Sequence, residues 1–261
     1  MKKISIFYNR IGFYTLLKRE IRRFMKITIQ TLVAPLLSNV LYLAIFGGML
    51  KTRQAGMEGV NYLVFMVPGL ATMGAIFSAF QNPSFSIISQ KYENTVQDLN
   101  SYPISNMEKS LAFILGGAIR GFLVGIMTYV GTAIFIGFQI VFPISFFLML
   151  WVTSFIFASL GLIFGLKFNN FEKINFALSI VITPLAYLGG VFFEVTQLPG
   201  ILSASRFINP VYPLVNITRY AYLGYNEGNL LFSALAAAIL LAGLFIFAIR
   251  TFNKGVGVKT I

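Results

Sequence analysis

Few side chains in this sequence could do chemistry. Its 261 residues include no cysteine, no histidine and only 8 carboxylates. That excludes disulfides, thiolate nucleophiles, Cys/His zinc sites and histidine acid–base catalysis. The carboxylates lie outside the long apolar runs, with Glu194 at an edge. No acid is therefore expected at membrane depth to carry protons or sodium ions. The nearest approach to a nucleotide-binding P-loop is Gly47-Gly48-Met49-Leu50-Lys51-Thr52, which lacks the glycine before its lysine. No metal or cofactor is expected, and the chain does not read as an enzyme. Any energy for transport must come from another chain or from an ion gradient.

The polar residues that remain suit packing or passage rather than catalysis. Arg120 is the one charge inside an apolar run. At the centre of a membrane helix an arginine costs about 2.5–3.5 kcal/mol on insertion scales unless it is paired or hydrated. It is either structural, bonded to helix-end carbonyls or a neighbouring span, or part of a translocation path or gate. Thr31, Pro35, Ser38 and Tyr42 recur at helical spacing beside Asn39. Asn175, Ser179, Thr183 and Tyr187 recur every four residues beside Pro184. Such stripes face protein or water, so helix packing, a dimer interface and a path for a polar or amphipathic substrate all stay open. Gly116, Gly117, Gly121 and Gly125 read as close helix packing.

The elements that must position these residues follow from composition. The chain is 57% hydrophobic and 11% charged, with mean hydropathy +0.80. A soluble domain carries about 25% charged residues, so this chain is an integral membrane protein. Its 28 phenylalanines and 12 tyrosines exclude a disordered tail. A span needs about 20 apolar residues. The runs are 27–50, 60–80, 110–138, 142–166, 174–193 and 230–252. With six spans both termini share one side. Counted by position, 15 Lys/Arg fall on that side and 4 on the other. The positive-inside rule makes the richer side cytosolic. The net charge of +12 then needs no nucleic-acid partner. Met1 to Lys3 resembles a signal-peptide start, but no clean apolar stretch or cleavage site follows, so the N-terminus is expected to be retained.

Three segments lie outside the runs. Residues 10–27 read as an amphipathic interface helix, with Phe13, Leu17, Ile21, Phe24 and Met25 on one face and Lys18, Arg19, Arg22, Arg23 and Lys26 on the other. Residues 81–109 read as the longest cytosolic connection, holding Glu93, Asp98, Glu108 and a short helix over 92–100 ended by Pro103. Residues 194–228 are too apolar for a free loop. Pro199, Pro210 and Pro213 divide them into pieces too short to span, which suits a re-entrant external cap. The Asn-Ile-Thr triplet at 216–218 carries no weight as a glycosylation signal. No internal repeat is visible.

In order and topology the chain resembles the permease subunit of ABC-2 type transporters. Residues 93–105, ENTVQDLNSYPIS, resemble the cytosolic coupling segment, with Asn94-Thr95 where a glycine is frequent. Residues 209–224, NPVYPLVNITRYAYLG, resemble the Asn-Pro…Arg stretch before the last span. The opening TLLKREIRRFMKITIQTLVAPLLSNVLYLAIFG is also similar. The resemblance implies an all-α integral membrane fold of the type V ABC exporter kind. It would have six transmembrane helices, an N-terminal amphipathic interface helix and external re-entrant helices. It divides the chain into a cytosolic N-terminus (1–26), the transmembrane domain (27–252) and a cytosolic tail (253–261). It implies a multi-pass exporter of the cytoplasmic inner membrane. Two copies of this chain would dock on two copies of a separate ATP-binding cassette ATPase. Tyr92, Glu93, Thr95, Gln97, Asp98 and Leu99 would meet that ATPase. A membrane-embedded enzyme and an ion-coupled carrier are the competing classes.

Overall fold

Asn9 starts the first helix of the computed structural model, which describes residues 9–50, 60–200, 203–225 and 227–255. The expectations for the retained N-terminus, Lys51-Thr52 and the last residues of the tail lie outside those residues. The Asn9 side chain accepts the Gly12 N–H at 3.0 Å and caps α1 (Arg10–Met25). The buried stripe of α1 is Leu16, Glu20 and Phe24. This corrects the apolar face expected from the sequence: Met25 is exposed, and a carboxylate occupies the middle of the stripe. Glu20 tolerates burial because it accepts from Arg19 Nη2 at 3.2 Å and from Arg23 Nε at 3.3 Å.

A wide turn over Ile29–Val33 leads into α2 (Ala34–Leu50). The fifth span, Phe171–Val191, contains α7 (Phe171–Ala177) and α8 (Thr183–Ala186), separated by a wide turn over Leu178–Ile182. Pro35 and Pro184 each follow such a turn by two residues. A proline ring clashes with the carbonyl four residues back, and an inserted residue in the helical turn relieves that clash. Threonine hydroxyls satisfy carbonyls near both turns: Thr31 Oγ1 donates to Ile27 O at 3.0 Å and Thr183 Oγ1 to Leu178 O at 2.9 Å.

The centre of the bundle is α3 (Tyr62–Tyr92), packed between α5 (Asn106–Ile136) and α6 (Pro143–Lys167). Helices α3 and α5 have 31 residues each, about 46 Å at 1.5 Å per residue, well beyond a hydrocarbon core of about 30 Å. The connection expected over 81–109 is therefore shorter. Residues 81–92 continue α3, and α5 begins at Asn106. The helix expected over 92–100 is a single turn, α4 (Asp98–Ser101). Asn94 turns the chain with φ +56°, a left-handed geometry that asparagine tolerates better than most residues. Tyr102 is extended before Pro103. Ser105 and Glu108 form a reciprocal cap at the start of α5. Small residues let the three central helices touch. A Cβ on Gly121 would stand 2.7 Å from the Ala75 carbonyl, and one on Gly161 would collide with the Phe80 carbonyl.

Beyond the fifth span come α9 (Ser205–Ile208) and α10 (Tyr212–Leu223), both too short to cross a membrane. Pro213 does not break this region, contrary to the sequence reading. It sits in the first turn of α10, where a missing N–H is harmless. The N–H groups of Val141 and Phe142 donate to Tyr222 O and Ala221 O at 3.1 and 2.8 Å. The connection from α5 to α6 thus covers the open carbonyl end of α10. The last helix, α11 (Leu230–Asn253), is peripheral and buries mainly Ser233, Ala237, Ala248, Thr251 and Phe252. Among the described residues, six helices are long and apolar enough to cross a membrane. The fold is an all-α integral membrane bundle, with no strand among the described residues. One end of the bundle bears α4 and the other bears α9 and α10.

Candidate functional site

At the α4 end, α1 and the end of α3 enclose a cleft of about 980 Å³. Lys18, Arg19 and Arg22 line one wall, and Ser89, Glu93 and Asp98 line the other. Tyr92, Glu93, Gln97 and Asp98 are exposed, Thr95 is half-buried, and Leu99 is fully buried. The Tyr92 ring stacks on Phe171 at 5.3 Å. Thr95 N donates back to Gln90 O at 2.9 Å, holding the turn against α3. The segment therefore presents charges on one side while Val96, Leu99 and Ile104 anchor it on the other.

Lys91 fastens this end to its neighbour. Its ammonium donates to Gly165 O, Leu166 O and Phe168 O at 2.9, 2.8 and 2.6 Å. Those are carbonyls at the C-terminus of α6, where a cation also meets the negative end of the helix dipole. The sequence reading counts Lys91 as one more cytosolic charge and gives no sign of this contact.

Arg120 is buried where three helices meet. Its Nη2 reaches Gln81 Oε1 on α3 at 3.5 Å, and its Nε has no partner. One residue on, Asn82 accepts Arg23 Nη2 through its carbonyl at 2.8 Å and its side-chain oxygen at 2.9 Å. No carboxylate lies within ion-pair distance of Arg120 among the described residues.

The structure divides the first polar stripe. Thr31 and Asn39 are buried inside the protomer. Thr31 Oγ1 donates to Phe24 O at 2.8 Å, tying α2's leading turn to α1. Asn39 Nδ2 donates to Thr128 Oγ1 at 3.0 Å. Ser38 stays exposed, and Tyr42 meets Tyr187 with their hydroxyls 3.3 Å apart. In the fifth span, Asn175 and Ser179 are exposed while Thr183 and Tyr187 are half-buried. The two stripes therefore converge at the tyrosine pair, leaving Ser38, Asn175 and Ser179 on an open face. Four half-buried residues of α3, Phe77, Gln81, Phe85 and Ser89, follow one another at four-residue spacing.

At the cap end, Arg219 is fully buried, although the sequence reading counts it as an exposed external charge. Its Nη1 bonds Glu227 Oε2 at 2.8 Å, its Nη2 donates to Gly190 O, and its guanidinium lies 3.9 Å from the centroid of the Phe65 ring. Glu227 Oε1 also accepts Thr196 N at 3.0 Å. Asn216 bridges to α11 through Ser233 at 3.0 Å and accepts Glu227 N at 3.1 Å. Glu194, whose side chain accepts from Gln197, is buried nearby. Burial pushes the Glu194 carboxyl above its usual range, and the neighbouring Arg219 opposes this. Burial likewise raises Glu227 and lowers Arg219, while their mutual attraction resists both. A sequence signal was available: an arginine in an apolar stretch, eight residues before a glutamate, must find a counter-charge if that stretch is buried.

Comparison with known proteins agrees with this architecture. The ABC-2 type transporter family matches residues 12–223. The inner membrane transport permease YadH of Escherichia coli (strain K12) is 31% identical over 242 residues, covering 93% of this chain and 94% of that protein. Nodulation protein J of Sinorhizobium fredii (strain NBRC 101917 / NGR234) is 24% identical over 244 residues, covering 92% and 89%. Nodulation protein J of Rhizobium meliloti (strain 1021) is 24% identical over 213 residues, covering 79% of each chain.

Proposed function

Since the chain belongs to the ABC-2 type transporter family, we propose that it is the permease subunit of an ATP-driven exporter. It works as a pair of identical subunits in the inner membrane, with both termini in the cytoplasm, and moves an amphipathic substrate outward. Two copies of a separate ATPase drive it from the α4 end. The name of the Escherichia coli relative, an inner membrane transport permease, supports the location.

The observation that carries this reading is the continuity of α3. One helix runs from Tyr62 to Tyr92. Near one end Lys91 grips the C-terminus of α6, and near the other Phe65 lies under Arg219 of the cap. A push on Glu93 and α4 is delivered to a continuous helix that already holds both neighbours. The charged cleft beside it offers a docking surface with cations on one wall and carboxylates on the other. The half-exposed polar stripes on the open face, meeting at Tyr42 and Tyr187, supply a seam for the second copy and a lining for cargo.

The test is coexpression of this chain with its ATPase, followed by reconstitution. Glu93→Ala with Asp98→Ala, both exposed, is expected to lower complex yield or transport while leaving insertion and thermal stability normal. Unchanged transport and yield would refute the coupling role. Transport by this chain alone in vesicles would refute the ATP-driven reading as a whole.

A further inference from the structure

The connection between α6 and α7 is short, and the end of α3 holds it at several points. Three residues, 168–170, separate Lys167 from Phe171. The Lys91 ammonium does more than cap α6. It reaches past the helix end, donating to Phe168 O at 2.6 Å and to Asn169 Oδ1 at 3.3 Å. The next residue, Tyr92, stacks its ring on Phe171, the first residue of α7, at 5.3 Å with 13° between the planes. Phe85, two turns earlier on α3, meets the same ring edge-on at 5.7 Å. Asn170 caps α7 by accepting the Lys173 N–H at 3.3 Å. The last turns of α3, the connection and the start of α7 are therefore fastened together.

Little room is left for α3 and α6 to slide past each other. A Cβ on Gly165 would stand 2.9 Å from Ser84 Cα, and Gly161 lies against the Phe80 carbonyl, so the two backbones touch. Displacing the end of α3 carries the end of α6 with it. Slack lies beyond α7 instead. The fifth span is interrupted by wide turns over Leu178–Ile182 and Tyr187–Val191, and Gly190 in the second has φ +89°. Such interruptions are where helices bend. Helix α7 buries only Ile174 and Ala177, so few apolar contacts hold it in place.

From these fastenings we propose that Lys91 and Tyr92 are positioning residues that deliver movement of the Glu93 turn into the fifth span. The displacement passes from Lys91 and Tyr92 to residues 168–171. Helix α7 then tilts about the wide turn at Leu178–Ile182 and moves the exposed Asn175 with it. The proposal rests on the reading that an ATPase pushes the α4 end, and it adds which span that push moves.

The chain has no cysteine, so a single introduced thiol reports alone. In the reconstituted complex with the ATPase, Asn175→Cys is modified with water-soluble trimethylammonioethyl methanethiosulfonate, with and without ATP and vanadate. Gln97→Cys, in the exposed turn, is modified in parallel with and without the ATPase. The Asn175→Cys rate is expected to change about fivefold or more on nucleotide trapping, the low end of coupling between distant sites. Adding Lys91→Met or Tyr92→Leu should cut that change to about twofold or less. Lys91→Arg, which keeps a cationic donor for the carbonyls, should restore most of it. A residue serving stability alone would shift the melting temperature and leave the nucleotide response intact, and that result would overturn the proposal. Equal Asn175→Cys rates in the two nucleotide states of the otherwise unaltered chain would overturn it as well, even if Lys91→Met failed to fold. Shielding of Gln97→Cys by the ATPase separates the two claims. Shielding with a silent Asn175→Cys sinks the fifth-span route alone, whereas no shielding counts against docking at the α4 end and against the route that depends on it.

Discussion

Cutting the buried pair at the cap end should be costly, and restoring charge balance should repair most of the damage. Arg219 and Glu227 have side chains 0% and 1% exposed, with 2.8 Å between Nη1 and Oε2. Glu227→Ala leaves a guanidinium buried with the Gly190 carbonyl and the Phe65 ring and no carboxylate in contact, only the weaker pull of Glu194, and it strands the Thr196 N–H. Removing one partner of a buried pair costs about 3–5 kcal/mol. At about 2–4 °C per kcal/mol for a domain of this size, the melting temperature should fall by about 6–20 °C. The double variant Arg219→Met with Glu227→Leu removes both charges, and such replacements are often neutral or stabilising. Glu194 then loses its nearest cation, but burial already favours its neutral form, so it can protonate rather than remain an unpaired charge. Differential scanning of the purified protein in one detergent compares the three. The double variant should regain at least half of the loss. A single variant within about 2 °C of wild type, the range of a bland surface change, would refute this account. So would a double variant no better than the single, because the cap would then be held by packing rather than by the ion pair.

Two further outcomes follow from other contacts. Because burial raises Glu194 above its ordinary value of 4.5, the stability it contributes is present below that value and is lost as pH rises through its folded value. Glu194→Gln should therefore gain on wild type in thermal scans between about pH 4.5 and neutrality, and parallel pH profiles would contradict this. Gly161→Ala should destabilise by about 1–3 kcal/mol by driving α6 off the Phe80 carbonyl. Gly243→Ala on α11, where a Cβ meets nothing within 4 Å, should be neutral or gain up to about 1 kcal/mol in the same scan.

The spans were legible because hydropathy reports what the hydrocarbon demands, and runs of about 20 apolar residues have few alternatives. The extension of α3 was not legible from that signal. Residues 81–92 read QNPSFSIISQKY, with a proline and several amides and hydroxyls, and look like the start of a loop. In the fold they are turned toward protein. Asn82, Ser84, Ser86 and Gln90 are all buried. Ser84 Oγ returns its proton to Phe80 O at 2.8 Å, and Gln90 Nε2 to Ser86 O at 3.2 Å. Side chains that satisfy themselves on their own helix let it continue where a lipid-transfer scale predicts an end.

The same reasoning explains why the charged residues that organise the molecule were misread. Counting Lys and Arg by side treats each as solvated, which holds for Lys18 and Arg22 but fails for Lys91, Arg219 and Arg23 beside Asn82. Lys91 and Arg23 meet carbonyls far away in the chain: 75 positions for Lys91 and Leu166, and 59 for Arg23 and Asn82. No short window along the sequence contains both partners of either contact. The charges that could be inferred locally were Arg219, eight residues before Glu227, and Arg120, because an apolar run surrounds it on both sides. Even there the sequence showed that a partner was needed without saying which one. What the fold adds is that α3 carries contacts for the arginines at Gln81 and Asn82, for the cap at Phe65 and for α6 at Lys91. Displacing that helix by one turn would break all of them together. Any movement that keeps these contacts must therefore carry α3 and its neighbours together.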